Sequence, residues 1–285
     1  MSPHLPGHRR LLVNADDLGW TPAITRGILD AHAGGVLRSA TWLAGAEGAD
    51  DAVRPTPPTL DVGLHLALTG VRPLSDPAPF RPLLDRSGRL PPVHYPVLRW
   101  LATTPGARGA VEREWRAQFE RFSDRWGRPP THVDSHQHVA LAPPLHRLFV
   151  RLAAEHGARA VRAPIEIRRW SDLDASAGLR PQFEGVVLSG LGARLRRLSR
   201  ASGLATPDHF AGFQLSGRLT ETALLRLVPR LRPGTTELMV HPGSADERGG
   251  YRRAAERDAL GSPAVRDALE RAGVEVVTFG DLAPA

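Results

Sequence analysis

Short apolar runs alternating with helix-length amphipathic stretches limit the fold of this chain more than any other feature. Leu11-Leu12-Val13-Asn14-Ala15 suits a buried strand and ends in Asp16-Asp17-Leu18-Gly19. Thr21-Pro22 then reads as an N-cap and a first helical position. Ile24, Ile28 and Leu29 follow at helical spacing, and Gly34-Gly35 stops the helix. Residues 39–43 suit a second strand, so one strand–helix–strand unit takes up about 30 residues. The pattern recurs, with further strands predicted at 61–67, 131–138, 159–163, 208–215, 235–241 and 274–279. Helices are predicted at 111–126, from Pro143-Pro144 to His156, and at 220–231, 252–260 and 263–272. This alternation predicts a single α/β domain over residues 11–285, with residues 1–10 a loose tail. The architecture expected is a TIM-like (β/α) barrel of seven strands or an irregular eight. No glycine-rich dinucleotide fingerprint follows the first strand, which disfavours an open doubly wound sheet.

Two segments do not fit the alternation. Residues 72–105 are rich in Pro and Gly, too long for an ordinary connection, and read as a functional loop or lid carrying His94, Tyr95 and Trp100. Residues 170–205 are harder to divide and contain an Arg-rich helix.

Composition removes several chemistries. The chain has no Cys, and each of its 37 basic residues is Arg. Thiol nucleophiles, disulfides, thiolate metal sites and lysine Schiff bases are therefore excluded, and a metal would have to be held by His, Asp, Glu or backbone oxygen. The net charge of +7 could suggest a nucleic-acid partner, but the arginines are spread and interleaved with acids, as in Glu112-Arg113-Glu114. The densest group, Arg194, Arg196, Arg197 and Arg200, fits a solvated helix face. The first ten residues lack the apolar core of a signal peptide, and no run approaches the roughly 18 apolar residues of a membrane span. The reading is a soluble, cytoplasmic protein without nucleic-acid or membrane partners, compatible with a homo-oligomer.

Four acid or imidazole clusters fall at the C-terminal ends of predicted strands. They are Asp16-Asp17, His65, the set His132, Asp134, His136 and His138, and His241-Pro242-Gly243. In a parallel barrel those ends meet on one face, where active sites are built. Asp16 and Asp17 are not needed as helix caps, because Thr21-Pro22 supplies one, and a nearby cation would relieve the repulsion between them. His132, Asp134, His136 and His138 are spaced by two, so a strand would project all four from one face. That is a poor recipe for an apolar core and a good one for a metal site with a carboxylate orienting an imidazole. With a metal opposite, His241 is a candidate general acid. His32, His94, His146, His156 and His209 have no such setting and read as ordinary surface or loop residues.

The blocks Val13-Asn14-Ala15-Asp16-Asp17-Leu18-Gly19, Val62-Gly63-Leu64-His65-Leu66, Thr131-His132-Val133-Asp134-Ser135-His136-Gln137-His138 and His241-Pro242-Gly243 resemble, in order, the signatures of the YdjC-like carbohydrate deacetylases. The resemblance implies a barrel distantly like that of polysaccharide deacetylases. It also implies hydrolysis of the N-acetyl group of an acetylated amino sugar or short oligosaccharide with one divalent metal ion, Mg²⁺ or Zn²⁺. Carried over, Asp17, His65 and His136 match metal ligands, Asp16 the catalytic base and His241 the general acid. Arg162, Asp134 and His138 take substrate-binding or supporting places, with Arg162 near the site and holding Asp16. Tyr251, Arg253 and Glu256 fit the block after His-Pro-Gly. Two positions depart from the family pattern: Ala140 stands where many members have another His, and Leu18 where an aromatic residue is usual. Both bear on substrate fit. The rival reading is a metal-dependent barrel amidohydrolase acting on a different amide or ester.

Overall fold

The computed structural model describes residues 7–166, 179–246 and 250–282. The chain runs β1 (Arg9–Leu18), α1 (Pro22–Gly34), β2 (Ser39–Trp42), α2 (Ala49–Val53) and β3 (Asp61–Leu66), then α3 (His94–Thr103) and α4 (Ala107–Trp126). It continues with β4 (His132–Ser135), α5 (His146–Glu155), β5 (Ala160–Val161), α6 (Leu179–Ala201) and β6 (His209–Ala211). The final elements are α7 (Glu221–Leu227), β7 (Gly234–Val240), α8 (Arg253–Gly261), α9 (Pro263–Arg271) and β8 (Val274–Val277).

Every ladder among the described residues is parallel, and the strand order is β5-β4-β3-β2-β1-β7-β6. A bridge from Glu166, just past β5, to Phe210 of β6 joins the two ends of that order. Seven strands therefore curl into a barrel with helices outside, within the expected range. The eighth strand stands apart from this ring. β8 pairs with Arg9–Leu12 of β1, on the side where β2 takes over from Asn14 onward. Phe279, Val277 and Leu282 form a small buried cluster there with Leu12, Ala160 and Ala205, which closes the end of the barrel where the strands begin.

Both faces of the strands are covered, which explains their near-continuous apolar runs. Odd-numbered residues of β1, such as Leu11, Val13 and Ala15, join the main core under the helices. Asn14 and Asp16 point the other way, into the barrel, where they meet His132 and Arg162 from other strands. Thr21 caps α1 as its sequence suggests, its hydroxyl accepting the Ile24 N–H at 3.2 Å. In α4, Trp115, Phe119 and Phe122 are fully buried and Trp126 packs beside them, so the aromatic stripe lies in the core.

The segment 72–105 is built rather than loose. Glu114, buried on α4, accepts the backbone N–H groups of Leu74 and Ser75 and the Ser75 hydroxyl at 2.8–3.1 Å. Trp100 of α3 is buried against Phe80, ring centroids 5.4 Å apart, so it belongs to the core and does not face a ligand. Only the start of α3 reaches the mouth of the barrel.

One close approach fixes the loop after β7. A Cβ added to Gly27 of α1 would lie 2.2 Å from the backbone of Gly243, and Ser244 N–H donates to Ala23 O at 2.9 Å. A Gly27→Ala variant must push the His241-Pro242-Gly243 turn off the helix. The expected result is a loss of about 1–3 kcal/mol in denaturant unfolding, the usual range for overpacking. A fall in activity should accompany it, because His241 moves with the turn.

Candidate active site

The mouth of the barrel begins with an irregularity in β1. Between Ala15 and Leu18 the strand carries one more residue than β2, and Asp17 sits in the left-handed region at φ 72°. In a regular strand neighbouring side chains point to opposite faces. The bulge instead brings two consecutive carboxylates, Asp16 and Asp17, to the same opening.

Asp16 is buried and gripped by Arg162, whose Nη1 and Nη2 donate to Oδ2 and Oδ1 at 2.8 and 2.7 Å. Asn14 Nδ2 adds a third bond to Oδ1 at 3.1 Å. The same guanidinium contacts Asp134 Oδ2 and, through Nε, Glu237 Oε1, both at 2.7 Å. Burial opposes ionisation of Asp16, but Arg162 and His65 outweigh it and hold the carboxyl well below the usual carboxylate range. Glu237 differs. Burial dominates there and pushes it up to about 7 despite Arg162, and its Oε2 has no hydrogen-bond partner.

His65 donates from Nδ1 to Asp134 Oδ1 at 2.5 Å, which leaves Nε2 facing the acids, 3.7 Å from Asp17 Oδ1 and 3.9 Å from Asp16 Oδ2. Burial would lower the imidazole, yet Asp134, Asp16 and Asp17 together raise it to about 9. His136 Nδ1 lies 3.2 Å from Asp17 Oδ1, and the ring stands edge-on to Trp20 at 4.8 Å. Arg253 Nη2 takes the other Asp17 oxygen at 3.1 Å. Asp17 is likewise held well below the usual range, against the effect of burial, by His136 and then Arg253.

Among the described residues, two groups of three side chains are close enough to share a cation: Asp17, His65 and His136, or Asp16, His65 and Asp134. Their surroundings separate them. In the second, the carboxylates already serve Arg162, Asn14, Thr41 and His65, and a guanidinium repels a cation. In the first, Asp17 Oδ1 and His136 Nε2 are buried without any hydrogen-bond partner. Buried orphan atoms are costly and call for an explanation. One carboxylate oxygen and two imidazoles are a fitting donor set for a divalent ion.

His241 comes from the end of β7. Its backbone N–H donates to Glu256 Oε2 at 2.6 Å, Nδ1 lies 3.4 Å from Ser216 Oγ, and Nε2 is 3.9 Å from Asp16 Oδ2. Burial, helped by Arg253 and Arg162, pulls the imidazole down to about 4, so it is neutral at pH 7. Glu256 is pushed up to about 7 by burial, opposed by the N–H groups it accepts.

The expectation of four side chains on one strand face is corrected. β4 ends at Ser135, and Gln137 and His138 adopt left-handed backbone at φ 51° and 53°. His136 reaches the site from the turn. His138 lies on the cavity wall against Phe210 and Phe213 and is lowered to about 3, by burial and then Arg162. His132 is deep in the barrel, stacked 3.9 Å from Phe279 and bonded to Asn14 Oδ1 at 3.0 Å, away from the opening. A Cβ on Gly63 would meet the His132 ring at 2.7 Å, so the glycine in β3 makes room for it. His94, read as ordinary, lines the cavity, and His146 is buried with Nε2 on Leu141 O at 2.7 Å. The sequence reading missed Glu237 and Thr41. The first left a trace, as a lone acid inside the apolar run Thr236–Val240; the second left none.

Asp16, Asp17, His136 and His241 sit in a cavity of about 690 Å³, shared with Trp20, Tyr95, Phe213 and Tyr251. That volume is ample for a small organic ligand.

A family model described as YdjC-like protein matches residues 10–271. A carbohydrate deacetylase of Geobacillus stearothermophilus is 31% identical over 280 residues, covering 95% of this chain and 97% of its own. A chitooligosaccharide deacetylase of Enterobacter sp. (strain 638) is 30% identical over 288 residues, covering 95% and 98%. Among solved structures, an Enterococcus faecalis protein provisionally described as a cellobiose-phosphate cleavage protein superposes with a TM-score of 0.74 at 25% identity, covering 95% and 98%.

Proposed function

The chain belongs to the YdjC-like family and is an enzyme of the carbohydrate deacetylase class, and from that premise we propose that it hydrolyses the N-acetyl group of an acetylated amino sugar with one divalent cation, Mg²⁺ or Zn²⁺. The observation that carries the metal reading is the buried Asp17 Oδ1, which no donor satisfies and which has His136 Nδ1 at 3.2 Å and His65 Nε2 at 3.7 Å. These three residues would hold the ion. When bound, it supplies a positive charge that acidifies water and stabilises negative charge developing on the acetamide oxygen.

The remaining chemistry falls to the chain. Asp16, ionised and fixed by Arg162, takes a proton from the attacking water through Oδ2, the oxygen nearest His65 and His241. Water oxygen bonds to the acetamide carbon, the C–N bond breaks, and the nitrogen must leave protonated. His241 gives it that proton. Because the imidazole is neutral at rest, the proton is one it gains during turnover, across the 3.9 Å from Asp16 Oδ2. An imidazole with so low a pKa is a strong acid once charged. Asp134 keeps His65 in the tautomer that turns Nε2 outward. The products are acetate and a free amine.

The direct test is acetate release from N-acetylglucosamine and its β-1,4-linked oligomers by purified protein, before and after treatment with a chelator. Release that stops on chelation and returns with Mg²⁺ or Zn²⁺ is the expected result. Undiminished release from demetallated protein would overturn the metal role, and no release from any of these sugars would overturn the substrate class.

A further inference from the structure

As the general acid, His241 has to rest in one particular tautomer. A neutral imidazole carries a single ring N–H, and the nitrogen that holds it is set by the bond the other nitrogen makes. Nε2 faces Asp16 Oδ2 at 3.9 Å and is the atom that gains the proton and then gives it up. It must therefore start bare, with the resting hydrogen on Nδ1. Left to itself the ring would do the reverse, because the Asp16 carboxylate is a strong acceptor and draws the hydrogen to Nε2.

Nδ1 makes the one side-chain hydrogen bond of His241 among the described residues, to Ser216 Oγ at 3.4 Å. That length is at the long end, as is common for catalytic hydrogen bonds before substrate arrives. Ser216 lies beyond the end of β6, and neither it nor Tyr251 takes part in the chemistry above. A hydroxyl can also donate, and a hydrogen sent from Ser216 to Nδ1 would enforce the wrong tautomer. Tyr251 Oη, 3.1 Å from Ser216 Oγ, gives that hydrogen another place to go. The three side chains are held in fixed relation. The two oxygens of buried Glu256 accept the N–H groups of Leu219 and His241 at 3.2 and 2.6 Å, so one carboxylate ties the segment of Ser216 to that of His241. The Arg252 N–H donates to Gly217 O at 2.8 Å, which fixes the backbone beside Tyr251. A Cβ on Gly217 would lie 2.6 Å from the Tyr251 ring, and that ring stands edge-on to His241 with centroids 5.3 Å apart.

We propose that Ser216 and Tyr251 are positioning residues for the general acid: the Ser216 hydroxyl donates to Tyr251 Oη and accepts from His241 Nδ1–H, which keeps Nε2 bare toward Asp16. This inference rests on the deacetylase reading and adds to it the pair of residues that readies its acid.

The test reads the tautomer directly. In full-length protein labelled with ¹⁵N-histidine and supplied with Mg²⁺, imidazole ¹⁵N shifts tell a protonated nitrogen from a bare one, and the signals lost in His241→Gln belong to His241. The wild type should show Nδ1 protonated and Nε2 bare at neutral pH. Ser216→Ala should reverse the two. It should also lower kcat for acetate release about tenfold at nearly unchanged KM, the loss expected for one hydrogen bond. Tyr251→Phe keeps the ring but frees the Ser216 hydroxyl to turn, so it should show a mixture of both tautomers and a smaller fall in kcat. A wild-type ring protonated at Nε2, or a Ser216→Ala protein that keeps the wild-type tautomer or kcat, overturns the positioning role while the deacetylase reading stands. A single wild-type tautomer in Tyr251→Phe removes Tyr251 from the pair. Absence of acetate from N-acetylglucosamine and its oligomers overturns the deacetylase reading and the proposal with it.

Discussion

Asp17→Ala protein should lose its bound divalent ion and, with it, acetate release by roughly 10³-fold or more, because several kcal/mol of charge stabilisation leave with the cation. Asp17 is the only carboxylate of the proposed set, and its buried Oδ1 faces both imidazoles. Alanine also removes the carboxylate that Arg253 Nη2 holds and sits poorly at φ 72°. Asp17→Asn separates the effects, since asparagine tolerates the left-handed region and still offers an oxygen to Arg253. It should fold and elute like the wild type, yet carry much less metal by elemental analysis and release acetate far more slowly. A full equivalent of metal in Asp17→Asn would remove Asp17 from the cation site.

Arg162→Met should be the most damaging change to stability. It leaves Asp16, Asp134 and Glu237 buried together with no guanidinium among them. Removing one partner from a buried ion network costs about 3–5 kcal/mol, which a shift in the denaturant midpoint would register. The pH dependence should change in a defined direction. In the wild type Asp16 is depressed, so its contribution to stability is present above its unfolded value and is lost only as the pH falls to strongly acid values. Without Arg162, burial raises that carboxyl, so the base is protonated at higher pH and the acid limb of kcat/KM moves upward. Glu237 has the opposite sign. Raised to about 7, its contribution is present below the unfolded value and lost as pH rises through about 7. An acid limb that stays in place in Arg162→Met would mean that Asp16 is not the base.

The barrel and most of its site could be read from the chain because both depend on strand patterning. The apolar runs ending in Asp16-Asp17, His65 and His241 coincide with β1, β3 and β7, and a parallel barrel gathers their C-terminal ends whatever the loops do. What could not be read depended on local backbone or distant partners. The bulge that turns Asp17 beside Asp16 has no glycine to announce it. The strand-like spacing from His132 to His138 hid the left-handed turn at Gln137 and His138. Helix α3 escaped notice because Val93 offers no side-chain cap and only Val97 and Trp100 face inward. Glu114 looked like one more charge on a solvated helix, yet it is fully buried, because its partners are backbone groups about 40 residues earlier.

The path of the sheet also sets an order of assembly. β1 to β4 are neighbours in sequence and in space, so the strands bearing Asp17 and His65 and the turn bearing His136 can come together from the first half of a growing chain. The longest ladder of β1, however, is with β7, more than 200 residues later, and Arg162, Glu237, His241 and Arg253 all arrive with that second half. Such non-local pairing is slow. During synthesis Asp17, His65 and His136 are therefore all made before Arg162, Glu237, His241 and Arg253, the residues that surround and neutralise them.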